Sequence, residues 1–305
     1  MSPPLKTGHP GVGGTPLVKL QRIPAGKTGA EILVKCEWMN AAGSIKDRPA
    51  LRMIQDVEDR GLMTGGRSLL DSTSGNTGTA LAQLAASRGH KVTLCLPANT
   101  NVVRLRLLRL LGATLVLTDP LEGADGARSV AAQMEVDQPD AFVYLDQYAN
   151  PMNWRAHYEG TGPEIWEQTQ GRITHFVAVM GTSGTFTGVS RRLKELNPAV
   201  QRIAVQPNAA YHGIEGTKHY ESTDIPPIFD RSLVHRQVNV ATEDAQEMAR
   251  MLARLEGLPA GTSGAAAVVA AMEVARDLTD GVVVAVLPDN AIKVLAEAGW
   301  KDHNA

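Results

Sequence analysis

The chain has 305 residues, 43% of them hydrophobic, and a formal net charge of −2 at pH 7. This length allows one or two domains with a large buried core. The near-neutral charge leaves no basic footprint for nucleic acid, and no apolar run approaches the ~18 residues that cross a bilayer. The first four residues, Met-Ser-Pro-Pro, lack a signal-peptide core. We therefore expect a cytoplasmic protein without nucleic-acid or membrane partners.

Apolar runs rich in strand-forming residues alternate with stretches of helical periodicity along most of the chain. Strands are predicted at residues 31–36, 68–71, 91–96, 114–118, 142–145, 176–180, 203–206 and 282–287. Helices are predicted at residues 46–60, 102–111, 124–136, 153–168, 185–196, 243–255 and 265–278, with a further helix through residues 80–85. This alternation is typical of an α/β fold with mostly parallel sheets.

Lys46 follows a turn of small residues and opens the first predicted helix. Ser44, three residues before Asp47, suggests a capping box, which would place Lys46 in the first helical turn beside unpaired backbone N–H groups. Such an electropositive position helps to keep an amine neutral and nucleophilic, so Lys46 is a candidate Schiff-base lysine. The alternative interpretation is a solvated surface lysine, and the motif alone favours that alternative.

Three further loops combine glycine with hydroxyl-bearing residues ahead of a predicted helix, at residues 72–78, 181–185 and 261–264. Backbone N–H groups and the helix dipole make a loop of this kind a cradle for an anion. Each residue also has a structural interpretation. Asn76, Thr77 and Ser263 could cap their helices, and Gln147, which follows a later strand, could be an exposed loop amide.

Together with residues 146–151 and 161–164, these motifs resemble the fold-type II pyridoxal 5′-phosphate (PLP) enzymes of the cysteine synthase and cystathionine β-synthase family. The resemblance covers nearly the whole chain, and residues 161–190 are especially similar to the bacterial cysteine synthase B branch. It implies two three-layer α/β domains with mostly parallel twisted sheets and the cofactor in the cleft between them. Residues 1–39 and 147–305 would form a large PLP-binding domain, and residues 40–146 a smaller mobile domain.

The resemblance also implies roles for individual residues. Lys46 would hold PLP as an internal aldimine and then carry the α-proton of the substrate. Asn76 would bond the ring hydroxyl oxygen of the cofactor, and Ser263 would meet its pyridine nitrogen. The substrate carboxylate would be held by four residues: Thr73, Ser74, Thr77 and Gln147. The phosphate would be wrapped by five consecutive residues: Gly181, Thr182, Ser183, Gly184 and Thr185.

The implied activity is that of a cysteine synthase. An O-activated L-serine, with O-acetyl-L-serine expected first, would lose its β-substituent to give an α-aminoacrylate, and sulfide or thiosulfate would then add to it. Two alternatives stay open: a cystathionine β-synthase-like condensation of serine with homocysteine, and a catalytically idle protein that binds PLP or a partner. Residues 211–220, which line the entrance in relatives, depart from the family pattern. The choice between O-acetylserine and O-phosphoserine, and the preferred acceptor, are therefore left open.

We expect a homodimer from the resemblance, which does not settle whether a serine acetyltransferase binds the chain. Cys36 and Cys95 lie in apolar strand-like runs and are expected to be buried, reduced thiols. The eight histidines show no spacing typical of metal ligands, so no metal is predicted.

Overall fold

The computed structural model describes residues 11–23, 29–73 and 75–293. The chain divides into two compact units: unit 1 consists of residues 1–12 and 46–153, and unit 2 of residues 13–45 and 154–305. The identification of a mobile domain and a PLP-binding domain on the predicted boundaries stays a prediction.

Strands and helices alternate through most of both units, as the sequence predicts. The strands are β1 (Leu17–Lys19), β2 (Gly29–Cys36), β3 (Ser68–Ser72), β4 (Lys91–Pro97), β5 (Thr114–Thr118), β6 (Phe142–Tyr144), β7 (His175–Val179), β8 (Gln201–Pro207), β9 (Arg236–Val240) and β10 (Asp280–Leu287). The α-helices are α1 (Asp47–Asp59), α2 (Asn76–Arg88), α3 (Val102–Leu110), α4 (Gly123–Asp137), α5 (Pro151–Ala156), α6 (Gly162–Gln168), α7 (Gly184–Leu196), α8 (Thr242–Met251) and α9 (Thr262–Arg276).

Unit 1 is built on a parallel sheet with the strand order β5-β4-β3-β6. Strand β3 is buried along its whole length, as expected for a central strand covered on both faces. One of these faces packs Leu70 and Cys95 against Ala127 and Ala131 of α4. Parallel pairing places the carboxyl ends of β3 and β6 at the same edge of the sheet, so the segments that follow these two strands are neighbours.

Unit 2 holds a sheet with the order β1-β2-β10-β7-β8-β9, in which β1 pairs antiparallel with β2 and the other described pairs are parallel. Successive residues of β10 enter two different cores. Val283 and Ala285 join a cluster formed with α8 and α9, whereas Val282 and Val284 join a cluster formed with α7. This sheet is therefore covered by helices on both faces, which confirms the predicted α/β class.

Four details differ from the sequence-based expectations. The short strands β1 and β9 were not predicted. The predicted helix 153–168 is divided into α5, a π-helical stretch at His157–Thr161 and α6, and the predicted helix 243–255 continues past α8 as a π-helical stretch at Leu252–Glu256. In each stretch an N–H group bonds a carbonyl five residues earlier, which inserts one extra residue into the turn.

Cys36 and Cys95 are both buried and free, as their apolar surroundings predict. Within residues 11–23, 29–73 and 75–293, no helix has the length and apolar character needed to cross a membrane.

Candidate active site

Lys46 lies at the start of α1, directly after two buried residues. Ser44 pairs with Asp289 in an isolated bridge, and the Ile45 N–H donates to the Pro288 carbonyl at 2.8 Å. The helix begins at Asp47, so Lys46 is itself the N-cap residue and Ser44 lies outside the cap. The capping-box interpretation is therefore wrong. The lysine nevertheless lies at the helix N-terminus, half-buried in the positive end of the dipole.

Lys35 is a buried lysine in the core of unit 2, and its contacts exclude it as a Schiff-base nucleophile. Its side chain is 0% exposed, and its Nζ donates to Thr15 O at 2.6 Å, Glu164 Oε2 at 2.7 Å and Gln168 Oε1 at 2.9 Å. Three acceptors occupy the three N–H donors of an ammonium group. Lys35 is therefore held in its charged form, in which the nitrogen has no lone pair for a Schiff base.

The loop between β3 and α2 is shaped by Thr73. Its Oγ1 accepts from the Gly75 N–H at 3.1 Å and from the Gly78 N–H at 2.9 Å. A Cβ on Gly78 would collide with the Thr73 side chain, so glycine is needed there for the turn to close. The N-cap of α2 is Gly75, which places Asn76 and Thr77 at the first two helical positions. The interpretation of these two residues as N-caps is therefore wrong.

Gln147 connects this loop to the segment after β6. Its Nε2 donates to Ser72 O at 2.8 Å, and its Oε1 accepts from Thr77 Oγ1 at 2.7 Å. Asn153 Nδ2 donates to the Gln147 carbonyl at 2.6 Å. Gln147 is only 5% exposed, so the interpretation as an exposed loop amide is wrong. Thus Thr73, Thr77 and Gln147 come together in unit 1, while Ser74 lies outside the described residues.

The residue before the buried Gln147 has an unusual backbone conformation. This residue, Asp146, has φ of 41°, a region that non-glycine residues seldom adopt. Its Oδ1 accepts from the Tyr148 N–H at 3.2 Å, and its Oδ2 lies 3.4 Å from Arg128 Nη2. Strain that is fixed by surrounding contacts in this way is common at binding sites.

The five predicted phosphate residues, 181–185, span the loop after β7 and the first two residues of α7. A Cβ on Gly181 would collide with the Gly216 carbonyl oxygen, and the Gly181 carbonyl accepts from Tyr220 Oη at 3.1 Å. Ser183 is the N-cap of α7 and has φ of 67°. Its Oγ is buried and finds no hydrogen-bond partner among the described residues. A helix N-terminus with a buried, unsatisfied hydroxyl suits a phosphate group.

Ser263 lies near the N-terminus of α9. The N-cap of this helix is Gly261, and Ser263 is the second helical residue, 5% exposed, so the N-cap interpretation of Ser263 is wrong. The neighbouring Thr262 Oγ1 is buried with no partner in the described part of the chain. A Cβ on Gly264 would approach Leu287 Cα to 3.1 Å, which places this helix N-terminus beside the carboxyl end of β10. Since β10 pairs parallel with β7, residues 181–185 and Ser263 share one sheet edge of unit 2.

Sequence reasoning missed two buried residues beside these loops. His157 Nε2 lies 3.3 Å from Thr185 Oγ1, and its Nδ1 lies 2.9 Å from Thr161 Oγ1. Asp71, the penultimate residue of β3, has a fully buried side chain. The i,i+4 spacing of His157 and Thr161 was the sequence signal that could have identified His157. The sequence signal for Asp71 was a carboxylate in an otherwise apolar strand.

Comparison with known families decides the class of this site. Residues 9–289 match the family model described as "Pyridoxal-phosphate dependent enzyme". The chain belongs to the pyridoxal-phosphate dependent enzyme family. PLP is thus the cofactor of this enzyme, as the sequence motifs predicted. In the described residues no group of three or more His, Cys, Asp or Glu is placed to hold a metal ion, and the expectation of no metal stays a prediction.

Individual members of the PLP-dependent family resemble the chain along nearly its full length. Cysteine synthase from Aquifex aeolicus is 48% identical over 302 residues, which cover 96% of this chain and 91% of that protein. Cysteine synthase B from Pseudomonas aeruginosa is 46% identical, covering 93% and 94%. A crystal structure of cysteine synthase (OASS) from Entamoeba histolytica superposes with a TM-score of 0.90 at 32% identity, covering 100% of this chain and 95% of that chain.

Proposed function

We propose that this PLP-dependent enzyme is a cysteine synthase that replaces the β-substituent of an O-activated L-serine with sulfide. O-acetyl-L-serine is the proposed donor and L-cysteine the product. The names of the cysteine synthase relatives support the activity. The structural observation that carries the proposal is the loop of residues 72–78, held by Thr73 and by Gln147 at the N-terminus of α2. Its N–H groups suit the carboxylate of an amino-acid substrate.

The residues of unit 2 fit the phosphate and ring of PLP on their own geometry. The unpartnered Ser183 hydroxyl and the N–H groups at the start of α7 would hold the phosphate, with Gly181, Thr182, Gly184 and Thr185 completing the loop. Ser263 would meet the pyridine nitrogen. A neutral hydroxyl cannot keep that nitrogen protonated as a carboxylate would, which favours loss of a β-substituent over transamination.

The residues of unit 1 would act on the substrate and on the ring hydroxyl group of PLP. Bound PLP supplies electron withdrawal from the α-carbon of an amino acid, which makes its proton acidic. Lys46 Nζ would take that proton, because a lysine that loses its bond to the cofactor becomes a free base. Asn76 would bond the ring hydroxyl oxygen. Thr73, Ser74, Thr77 and Gln147 would orient the α-carboxylate.

Cofactor attachment is tested by borohydride reduction followed by mass spectrometry. The pyridoxyl group should be found on Lys46, because Lys35 is fixed as an ammonium by its three acceptors. Lys46→Ala should still bind PLP through residues 181–185 but form cysteine extremely slowly. An adduct on Lys35 or on the exposed Lys91 would contradict the assignment.

The activity is tested by steady-state turnover with each donor and acceptor in turn. Cysteine should form from O-acetylserine and sulfide, and the same assay with O-phosphoserine identifies the leaving group. Thiosulfate is proposed as a second acceptor. Faster turnover of serine with homocysteine would favour the cystathionine β-synthase alternative, and no turnover with any pair would favour an idle PLP-binding protein. We expect a homodimer, which sedimentation of the purified protein would show.

A further inference from the structure

We propose that Asp71 is a positioning residue that supports the substrate-carboxylate loop through Ser72, and that a negative charge on its buried carboxyl group weakens binding of the substrate. The inference rests on the proposed role of Thr73, Thr77 and Gln147 in the α-carboxylate site. Asp71 itself does not belong to that set. It is the penultimate residue of β3, the strand from which the loop emerges, and it acts through Ser72, which the Gln147 side chain also contacts.

Asp71 contacts the loop at Ser72, the residue to which the Gln147 side chain is also bonded. The Asp71 Oδ1 accepts from the Ser72 N–H at 2.8 Å, whereas the buried Asp71 Oδ2 has no hydrogen-bond partner among the described residues. The Gln147 Nε2 donates to Ser72 O, and the Gln147 Oε1 accepts from Thr77 Oγ1. A change in the charge of Asp71 therefore acts directly at Ser72, and Gln147 connects Ser72 to Thr77.

The surroundings disfavour a negative charge on Asp71. The side chain is 0% exposed, and burial raises its pKa to about 8. The negative charge of Asp146 also raises this pKa, whereas the Ser72 and Gln147 N–H groups and Arg128 lower it. Arg128 also lies 3.4 Å from Asp146, so one guanidinium serves two carboxyl groups.

The other titratable groups that face Asp71 stay neutral near pH 8. On β4, burial and the charge of Asp71 raise the pKa of Cys95 to about 11. After β6, burial and the same charge raise the pKa of Tyr148 to about 12, and the pKa of Tyr144 is raised for the same reasons. None of these groups supplies a positive charge. Ionised Asp71 therefore adds net negative charge beside a loop that has to accept a carboxylate.

The expected effect follows from the titration. With a pKa of about 8, the ionised fraction of Asp71 rises from about a tenth at pH 7 to about nine-tenths at pH 9. If the protonated form alone binds, the dissociation constant for an amino acid rises about tenfold over that interval. This is an upper limit, because the ionised form keeps part of the binding energy.

The experiment titrates the PLP-loaded enzyme with L-alanine, which has an α-carboxylate but no β-leaving group. Binding is followed by the absorbance of the cofactor between pH 7 and pH 9. Asp71→Asn keeps the shape and stays neutral, so the ratio of wild-type to variant dissociation constants removes the ionisation of the alanine amine and of the cofactor. That ratio should rise toward tenfold. Asp140→Asn, an exposed acid of the same unit, is the matched control and should keep the wild-type profile.

Two outcomes are decisive. A wild-type to Asp71→Asn ratio that stays constant from pH 7 to pH 9 would overturn the role of Asp71, since a merely structural role would change affinity equally at every pH. If Asp71→Asn does not fold, Asp71→Ala provides the same comparison. If L-alanine binds the wild type but Thr77→Val and Gln147→Leu bind it equally well, the proposed carboxylate site fails, whatever Asp71 does.

Discussion

Ser183 destabilises the cofactor-free fold through backbone strain and through a buried, unpaired hydroxyl group, and substitutions can separate these two effects. Its φ of 67° places a side chain in the left-handed region, and its buried Oγ has no partner among the described residues. Ser183→Ala removes the hydroxyl and keeps the strain, whereas Ser183→Gly removes both. Ser190, on the same helix, also has a buried Oγ without a partner in the described chain, so Ser190→Ala is a matched control away from the phosphate loop.

The effects of the Ser183 substitutions on fold stability and on PLP affinity can be measured separately. Left-handed backbone costs a residue other than glycine about 1–2 kcal/mol, and glycine returns about 0.5–1 kcal/mol of this through its greater freedom in the unfolded chain. Ser183→Gly should therefore stabilise the cofactor-free protein by about 0.5–1 kcal/mol more than Ser183→Ala. Both variants lose a hydroxyl that would donate to a charged phosphate, a bond of about 1.5–3 kcal/mol. Their PLP affinity should fall about 10- to 100-fold.

Thermal unfolding of the cofactor-free protein measures the first effect, and equilibrium titration with PLP measures the second. Ser183→Gly should melt about 1–2 °C above Ser183→Ala, and Ser190→Ala should bind PLP like the wild type. Equal melting temperatures for the two Ser183 variants would refute the strain, and unchanged PLP affinity would refute the phosphate contact.

Three further predictions concern thiols, acid stability and the cofactor ring. Burial raises the pKa of Cys36 to about 12 and of Cys95 to about 11, so neither should react with iodoacetamide at pH 8 until the protein is unfolded in urea, as mass spectrometry would show. Arg88 lowers the pKa of Glu58, so this carboxylate stabilises the fold above pH 4.5 and less as the pH falls through its native pKa. Glu58→Gln should therefore cost about 1 kcal/mol in urea unfolding at pH 7 and progressively less below pH 4.5. Ser263→Asp should slow cysteine formation far more than Ser263→Ala, and equal severe losses would mean that the residue only supports its helix.

Much of the fold was readable because parallel strands covered on both faces appear as continuous apolar runs. Strand β4, Lys91–Pro97, is buried after its first residue and was predicted to within one residue. Strand β1 has three residues, too few to show a period, and β9 exposes three of its five side chains. The π-helical stretches have no signature in side-chain spacing, because the extra residue is absorbed by the backbone.

The candidate site was predictable where glycine and hydroxyl residues form a local pattern. The loops at 72–78 and 181–185 each join a strand to a helix N-terminus, as expected. Contacts between distant segments were not predictable. Gln147 contacts Thr77 across 70 residues of sequence. The positive φ of Asp146 could not be predicted from the residue type alone. The exclusion of Lys35 also needed three acceptors from two distant parts of the chain, Thr15 and helix α6.

The strand order of unit 2 determines when its sheet can be completed during synthesis on the ribosome. Strand β2, near the start of the chain, pairs with β1 on one side and with β10 on the other, over the register Asp280–Leu287 against Gly29–Cys36. Its second edge therefore waits for a partner that is made about 250 residues later. Over the same interval the four strands of the unit 1 sheet emerge from one continuous stretch and can pair among themselves. A nascent chain halted before residue 280 would expose an unpaired, largely apolar strand edge, the form in which chaperones and neighbouring chains would meet it.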